Sequence, residues 1–184
     1  NVSAGIMLIS QASPMAQNIT GVSAAVAAGL VSLISIFNGL GRVFWAWLSD
    51  TITRRYVFVT MFLLQFLLFL LMTQTNSFVV FSLLAIPIAL CYGGGFGTMP
   101  SFCADYFGPK YTGFVYGTMI TAWGAGGILG PILIARLKDV TGSYTQAMFI
   151  IAGVMLVSTI LPIIVRPPGR ESAAPATMIA PAGA

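Results

Sequence analysis

One cation stands apart in this sequence. Arg42 lies inside the apolar stretch Val22–Leu48, and no other formal charge lies as deep in an apolar segment. A charge in hydrocarbon is costly, so such a residue usually faces an interior and holds a partner or ligand. A direct pair with Asp50 is excluded, because eight residues of helix separate them by about 12 Å. A guanidinium is permanently charged and its planar fork suits a carboxylate, which makes Arg42 a candidate anion-binding residue. The alternative is an arginine that extends to the cytoplasmic interface from the helix end.

Aromatic residues at helical spacing are the next candidates. Tyr92 and Phe96 are one turn apart, and Tyr116 precedes Trp123 by seven residues on a glycine-rich segment. Rings from two interior helices could enclose a small planar anion and exclude water. Ordinary helix packing is the alternative for each of them. Trp123 is the strongest candidate, because a large ring among small residues needs space to occupy.

A second group of charges follows the arginine. Asp50, Arg54 and Arg55 form a cluster in a predicted loop, where a gating contact with a helix end is favoured over a substrate site. Trp45 and Trp47 precede this loop, and we expect both to be interfacial anchors of the kind that membrane proteins place at the lipid headgroups.

The composition is that of an integral membrane protein. Of the 184 residues, 58% are hydrophobic and 7% are charged, and there is no histidine. A soluble domain of this size needs far more charge to cover its surface. The net charge of +4 comes from basic residues beside apolar segments, a pattern typical of membrane loops and not of nucleic-acid binding. Cys91 and Cys103 have no ligand-like neighbours, so apolar packing is favoured over a metal or redox site.

Five apolar stretches are long enough to cross a bilayer, which takes about 20 residues. The chain opens at Asn1 in an apolar run to about Ala16, which we expect to be the second half of another spanning helix. Counting this half-helix as the first, the second to sixth predicted helices are Val22–Leu48, Tyr56–Thr73, Phe78–Met99, Tyr116–Leu137 and Ala147–Val165. The predicted fold class is all-α integral membrane, with one bundle over residues 1–165 and a disordered cytoplasmic tail over 166–184.

Glycine divides the predicted helices into two groups. The second, fourth and fifth carry several glycines each, whereas the third has none and the sixth has Gly153 alone. Small residues let helices approach closely and rock against one another, while bulky apolar helices suit lipid. We therefore expect the second, fourth and fifth helices to line the interior and the third and sixth to face lipid. Gln65, on the third, is expected to make an interhelical hydrogen bond. The alternative is that glycine is simply frequent in membrane helices.

Basic residues indicate the orientation. An excess of lysine and arginine marks the cytoplasmic side of a membrane protein. Five such residues fall on one side and two on the other: Arg54, Arg55, Lys110, Arg166 and Arg170 against Arg136 and Lys138. The loop that contains Arg54 and the C-terminus are therefore expected in the cytoplasm.

The run from Asn38 to Arg55 resembles the loop after the eighth helix of major facilitator transporters. That superfamily has a loop signature of roughly Gly-x-Leu-Ser/Ala-Asp-Arg-x-Gly-Arg-Arg. The matching residues are Leu48, Ser49, Asp50, Arg54 and Arg55, while Ala46, Thr51 and Thr53 replace two glycines and an arginine. The departures suggest a loosened gating loop.

Longer motifs resemble one branch, the oxalate/formate antiporter family. They are SQASPMAQ (Ser10–Gln17), FNGLGRVFWAWLSD (Phe37–Asp50), ADYFGPKYTGFVYG (Ala104–Gly117) and TAWGAGGILGP (Thr121–Pro131). The resemblance implies the C-terminal half of a twelve-helix transporter, with helix seven partial and helices 8–12 complete. It also implies a plasma membrane, expected to be a bacterial inner membrane, and an N-terminal six-helix bundle as the partner. The family carries an arginine at the place of Arg42 as its anion-binding residue.

One departure bears on the substrate. Oxalate-exchanging members have a lysine on the eleventh helix shortly after an aromatic residue, and the corresponding stretch Trp123–Gly130 has none. One fixed charge balances a monoanion, whereas a dianion would leave net negative charge in a low-dielectric site. The expected substrate is therefore a small carboxylate, and formate or another monocarboxylate is favoured over oxalate. We expect transport by alternating access, as an exchange of anions. We expect no Asp, Glu or His within the helices to relay protons.

Other interpretations stay open. A carboxylate in the remaining helices would favour a proton-coupled monocarboxylate symporter, and a wide apolar cavity would favour a drug efflux transporter. A membrane receptor or scaffold that does not transport is an alternative of another class. The sequence shows no nucleophile–base pair, metal-ligand cluster or phosphate-binding loop, so no enzyme, cofactor or metal is expected.

Overall fold

The computed structural model describes residues 1–165, which fold into α-helices joined by short connections. The helices are α1 (Val2–Thr20), α2 (Ala24–Thr51), α3 (Arg54–Met72), α4 (Phe78–Phe107), α5 (Thr112–Thr141), α6 (Thr145–Ser158) and α7 (Ile160–Ile164). Five helical segments of this region are long and apolar enough to cross a membrane: α2, α3, α4, α5 with the 3-10 turn before it, and α6 with α7. The predicted all-α membrane fold is confirmed. The tail over 166–184 lies outside the described residues.

Several predicted helix boundaries are wrong, mostly because the helices are longer. α4 does not end at Met99 but continues through Pro100 to Phe107. Membrane helices tolerate proline because neighbouring groups satisfy the freed backbone atoms. α5 extends four residues beyond each predicted end and stops at Gly142, whose φ of 71° favours glycine. The longer helices take in Asp50, Asp105 and Asp139, each within the last turn of its helix.

The sixth predicted helix is not continuous. α6 ends at Ser158, and α7 begins at Ile160 and contains Pro162. A proline inside a helix removes one backbone donor and its ring clashes with the carbonyl four residues earlier. That carbonyl belongs to Ser158, where α6 stops, so the proline explains the break.

Glycines let the backbones of α2 and α4 touch. A Cβ atom added at Gly41 would lie 2.1 Å from the carbonyl oxygen of Leu90, and one added at Gly93 would lie 1.8 Å from that of Asn38. Neither contact is possible for a larger residue. The prediction of close helix approach at glycine is therefore confirmed for this pair.

The glycines of α5 behave differently. Gly126 and Gly127 approach α1, whereas Gly117, Gly124 and Gly130 have no described atom near their Cβ positions. Of the thirty residues of α5, Ile134 alone is buried by the rest of residues 1–165. This helix therefore presents a long, small-residue surface that the described residues leave uncovered.

Two more expectations concern α2 and α3. Gln65 is fully buried and donates a hydrogen bond of 3.5 Å to the carbonyl oxygen of Ile88 on α4, as predicted. Trp45 is not an interfacial anchor: it is 4% exposed and packs against Gly94 of α4. The reason is again glycine, because the missing side chain leaves room for the indole. Trp47, on the opposite side, is 61% exposed.

Candidate functional site

Arg42 lies on an exposed face of α2, beside α4. Its backbone is in close contact with Gly97, whose added Cβ would lie 2.3 Å from the Arg42 carbonyl oxygen. The guanidinium carbon is 5.7 Å from the centre of the Phe96 ring, within the range of a cation–π interaction. No residue of 1–165 makes a hydrogen bond or an ion pair with the Arg42 side chain. The hydrogen-bond donors of the guanidinium are therefore free to bind another group.

Three of the predicted aromatic residues meet next to Arg42. Trp123 Nε1 donates a hydrogen bond of 2.9 Å to the hydroxyl oxygen of Tyr92. The Phe96 ring lies edge to face with both, its centre 5.3 Å from that of Tyr92 and 6.3 Å from that of Trp123. We call Tyr92, Phe96 and Trp123 the aromatic triad. It joins α4 to α5, and the hydrogen bond fixes the orientation of the indole.

Tyr116 makes no described contact with the arginine. With Phe96 and Trp123 it lines a cavity of about 610 Å³, and Arg42 is not among the described lining residues. The other lining residues come from the start of α1 and from α3, α4, α5, α6 and α7, and most are apolar. Of the five predicted binding residues, contacts therefore connect Arg42, Tyr92, Phe96 and Trp123, while Tyr116 lines the cavity with Phe96 and Trp123.

Trp123 also lines a groove of about 540 Å³. The groove is lined by Tyr92, Trp123 and the small residues Ser10, Gly124 and Gly127, together with isoleucines of α1 and α5. Trp123 lines both the groove and the larger cavity. The groove brings together α1, α4 and α5, two of them among the glycine-rich helices.

The predicted gating residues form a network at the C-terminal end of α2. Arg54 makes ion pairs with Asp50, at 3.3 Å, and with Asp105 near the end of α4. Arg55 donates a hydrogen bond to the carbonyl oxygen of Ile163 in α7. The contact with helix ends fits the prediction, and Asp105 is a member that sequence reasoning did not single out. The network links the ends of α2, α3, α4 and α7.

Asn38 is a further polar residue that sequence reasoning did not single out. It lies at the middle of α2, one turn before Arg42, and its side-chain oxygen is buried without a hydrogen-bond partner in the described region. The signal was available, because a spacing of four residues places two polar side chains on one face of a helix.

Within residues 1–165, the bundle of long apolar helices defines an integral membrane protein, and Arg42 is a cation deep in it. The particular family follows from comparison: the model of the Major Facilitator Superfamily matches residues 2–181, and the chain belongs to that superfamily. Its membership and its relatives identify a transporter rather than an enzyme.

Three relatives named as transporters are similar to the chain. The riboflavin transporter of Trypanosoma brucei brucei is 28% identical over 74% of this chain and 25% of its own length. The oxalate:formate antiporter of Oxalobacter formigenes is 27% identical over 89% of the chain and 40% of its own length. A putative tartrate transporter of Agrobacterium vitis is 46% identical over 21% of the chain and 9% of its own length. The chain thus spans less than half of each relative.

Proposed function

We propose that the protein moves a small monocarboxylate across a membrane by anion exchange, with Arg42 as the residue that binds the carboxylate. The observation that carries this proposal is the unpaired guanidinium of Arg42 on an exposed face of α2, 5.7 Å from the Phe96 ring centre. Its planar donors match a carboxylate, and the triad beside it supplies an apolar wall that strengthens the attraction by excluding water.

Charge supports a monoanion over a dianion. In the described transmembrane segments Arg42 is the deep cation. The stretch Trp123–Gly130, beside the triad, contains no lysine or arginine. A single guanidinium neutralises one carboxylate, whereas a second anionic group would need a cation from elsewhere. The relatives named as oxalate:formate and tartrate transporters support an acid as substrate without fixing which acid.

The rest of the substrate pathway would come from a second bundle. We propose that an N-terminal six-helix bundle faces α2, α4 and α5, and that the two bundles rock around the site at the middle of the membrane. The open glycine surface of α5 supports this arrangement, since small residues permit close approach and sliding of a facing helix. The charged network around Arg54 then lies at the cytoplasmic side of a plasma membrane, with the C-terminus on the same side.

Exchange in proteoliposomes tests the role of Arg42. Vesicles that contain the complete protein and unlabelled formate would be given labelled formate, acetate or oxalate. Arg42→Gln should raise the KM about 10- to 150-fold, because a charge-assisted hydrogen bond contributes about 1.5–3 kcal/mol. Arg42→Lys should raise the KM less than Arg42→Gln does, since lysine keeps the positive charge but lacks the planar guanidinium. Arg136→Gln, which removes an exposed cation near the end of α5, is the matched control. An unchanged KM in Arg42→Gln would refute the proposal.

One observation favours a second candidate function, transport of a larger aromatic compound. The cavity of about 610 Å³ is walled by aromatic and aliphatic side chains, among them Phe96, Tyr116 and Trp123. Two riboflavin transporters are among the relatives, from Trypanosoma brucei brucei and Trypanosoma cruzi. Riboflavin uptake that is lost in Tyr116→Ala but kept in Arg42→Gln would favour this alternative.

A further inference from the structure

The groove of about 540 Å³ that Tyr92 and Trp123 line has a mainly apolar wall. Apart from these two rings and Ser10, its described wall consists of three isoleucines and two glycines, and none of the described lining residues carries a formal charge. Both hydroxyl groups in the wall already have partners. Ser10 donates a hydrogen bond of 3.4 Å to the carbonyl oxygen of Met7, and Tyr92 accepts one of 2.9 Å from Trp123. Because these hydroxyls do not need a polar ligand, the groove chiefly offers hydrocarbon contacts.

The groove lies close to the cation of the proposed site. The Phe96 ring centre is 5.7 Å from the guanidinium carbon of Arg42. The same ring packs edge to face against Tyr92 and Trp123, which line the groove. Arg42 is exposed and Trp123 is 42% exposed, so both are accessible from outside the described bundle. A ligand that contacts both the cation and the groove must therefore combine an anionic end with an apolar end.

The volume of the groove argues against the smallest acids. A water molecule occupies about 30 Å³ of the liquid, so formate, with three non-hydrogen atoms, would fill only a small part of about 540 Å³. A longer aliphatic chain would cover isoleucine surface that the described residues leave open, including that of Ile128, which is 65% exposed. Removal of apolar surface from water stabilises the complex, and each buried methylene group contributes about fourfold in affinity.

We propose that the groove binds the apolar chain of the monocarboxylate whose carboxylate binds Arg42. This proposal rests on the proposed function and names its substrate class, which is aliphatic monocarboxylates in preference to formate and acetate. The guanidinium selects the carboxylate, and the groove distinguishes among monocarboxylates by the apolar area that each one buries.

Binding of acetate, propionate, butyrate and pentanoate to the purified complete protein tests this proposal. Isothermal titration calorimetry at neutral pH measures each Kd, and all four acids are then ionised because carboxyl groups titrate near about pH 4. In wild type the Kd should fall about fourfold for each added methylene group, so that pentanoate binds about 60-fold more tightly than acetate. Arg42→Gln should raise the Kd of all four acids, since each depends on the same charge.

Gly124→Leu locates the chain-length effect in the groove. It puts a branched side chain into the groove at a position where no described atom lies within 4 Å of the added Cβ. The Kd for pentanoate should rise about tenfold or more, and that for acetate should stay within about twofold. Gly153→Leu is the matched control and should change neither Kd, because Gly153 also has no described atom within 4 Å of its added Cβ and lies on α6, outside the groove. Ile128→Ala, at an exposed position of the wall, should raise the Kd for pentanoate about fourfold, and it keeps the test available where leucine prevents folding.

The outcomes separate the groove proposal from the proposed function. A wild-type Kd that does not fall with chain length would overturn the groove proposal. Equal losses for acetate and pentanoate in Gly124→Leu and Ile128→Ala would also overturn it, as would a chain-length dependence that both variants leave unchanged. Failure of wild type to bind any of the four acids, or an unchanged Kd in Arg42→Gln, would instead refute the proposed function.

Discussion

Replacing Gly93 with alanine should separate α2 from α4 and distort the site. An added Cβ would lie 1.8 Å from the carbonyl oxygen of Asn38, so the helices must move apart by about 1.2 Å to reach even 3.0 Å. Because the contact is with backbone, no side chain can turn aside. We expect a loss of about 3 kcal/mol, at the upper end of the range for overpacked interiors.

The assay is thermal unfolding of the purified complete protein in detergent, followed by size-exclusion chromatography. The apparent melting temperature of Gly93→Ala should fall by about 5 °C or more, and carboxylate exchange should fall with it. Gly39→Ala is the matched control, since it lies on the same helix pair and has no described atom within 4 Å of its added Cβ. Equal melting temperatures for Gly93→Ala, Gly39→Ala and wild type would refute the packing of α2 on α4.

The remaining predictions concern the triad and the charged network. Trp123→Phe keeps the ring but removes the 2.9 Å hydrogen bond to Tyr92; the KM for carboxylate exchange should rise about 2- to 12-fold, and Trp47→Phe, an exposed control, should leave it unchanged. Asp105→Arg places like charges together at Arg54 and should lower the exchange rate. The double variant Arg54→Asp/Asp105→Arg should restore part of that rate, because the aspartate introduced at position 54 also faces Asp50. Stability should change little in Asp105→Asn, because surface ion pairs contribute about 0–1 kcal/mol. A double variant no better than its single variants would argue against the ion pair as a gating contact.

The membrane-crossing helices and the deep cation could be predicted from the sequence, because the physical rules that govern them have few exceptions. The cost of charge in hydrocarbon singled out Arg42, and length and hydropathy identified each membrane-crossing segment. Spacing also placed Tyr92 with Phe96 on one face of one helix, where the structure has them. These inferences involve one helix at a time, so they need no knowledge of which helices are neighbours.

Contacts between helices were harder to predict. Nothing in the local sequence shows that Trp45 lies over Gly94, that Asp105 reaches Arg54, or that Tyr116 lines a cavity with Phe96. Each depends on the relative rotation and depth of two helices distant in sequence. The boundary errors have another cause, because proline and glycine end helices in water but are tolerated within membrane helices.

The central claim is that the charge of Arg42 holds a carboxylate. The most direct test is binding of propionate and of its neutral amide, propionamide, to the purified complete protein, measured as ligand-dependent thermal stabilisation. Wild type should be stabilised by propionate and not by propionamide, because only the former carries the charge, and Arg42→Gln should respond to neither. Preferential stabilisation of Arg42→Gln by propionate would contradict the account.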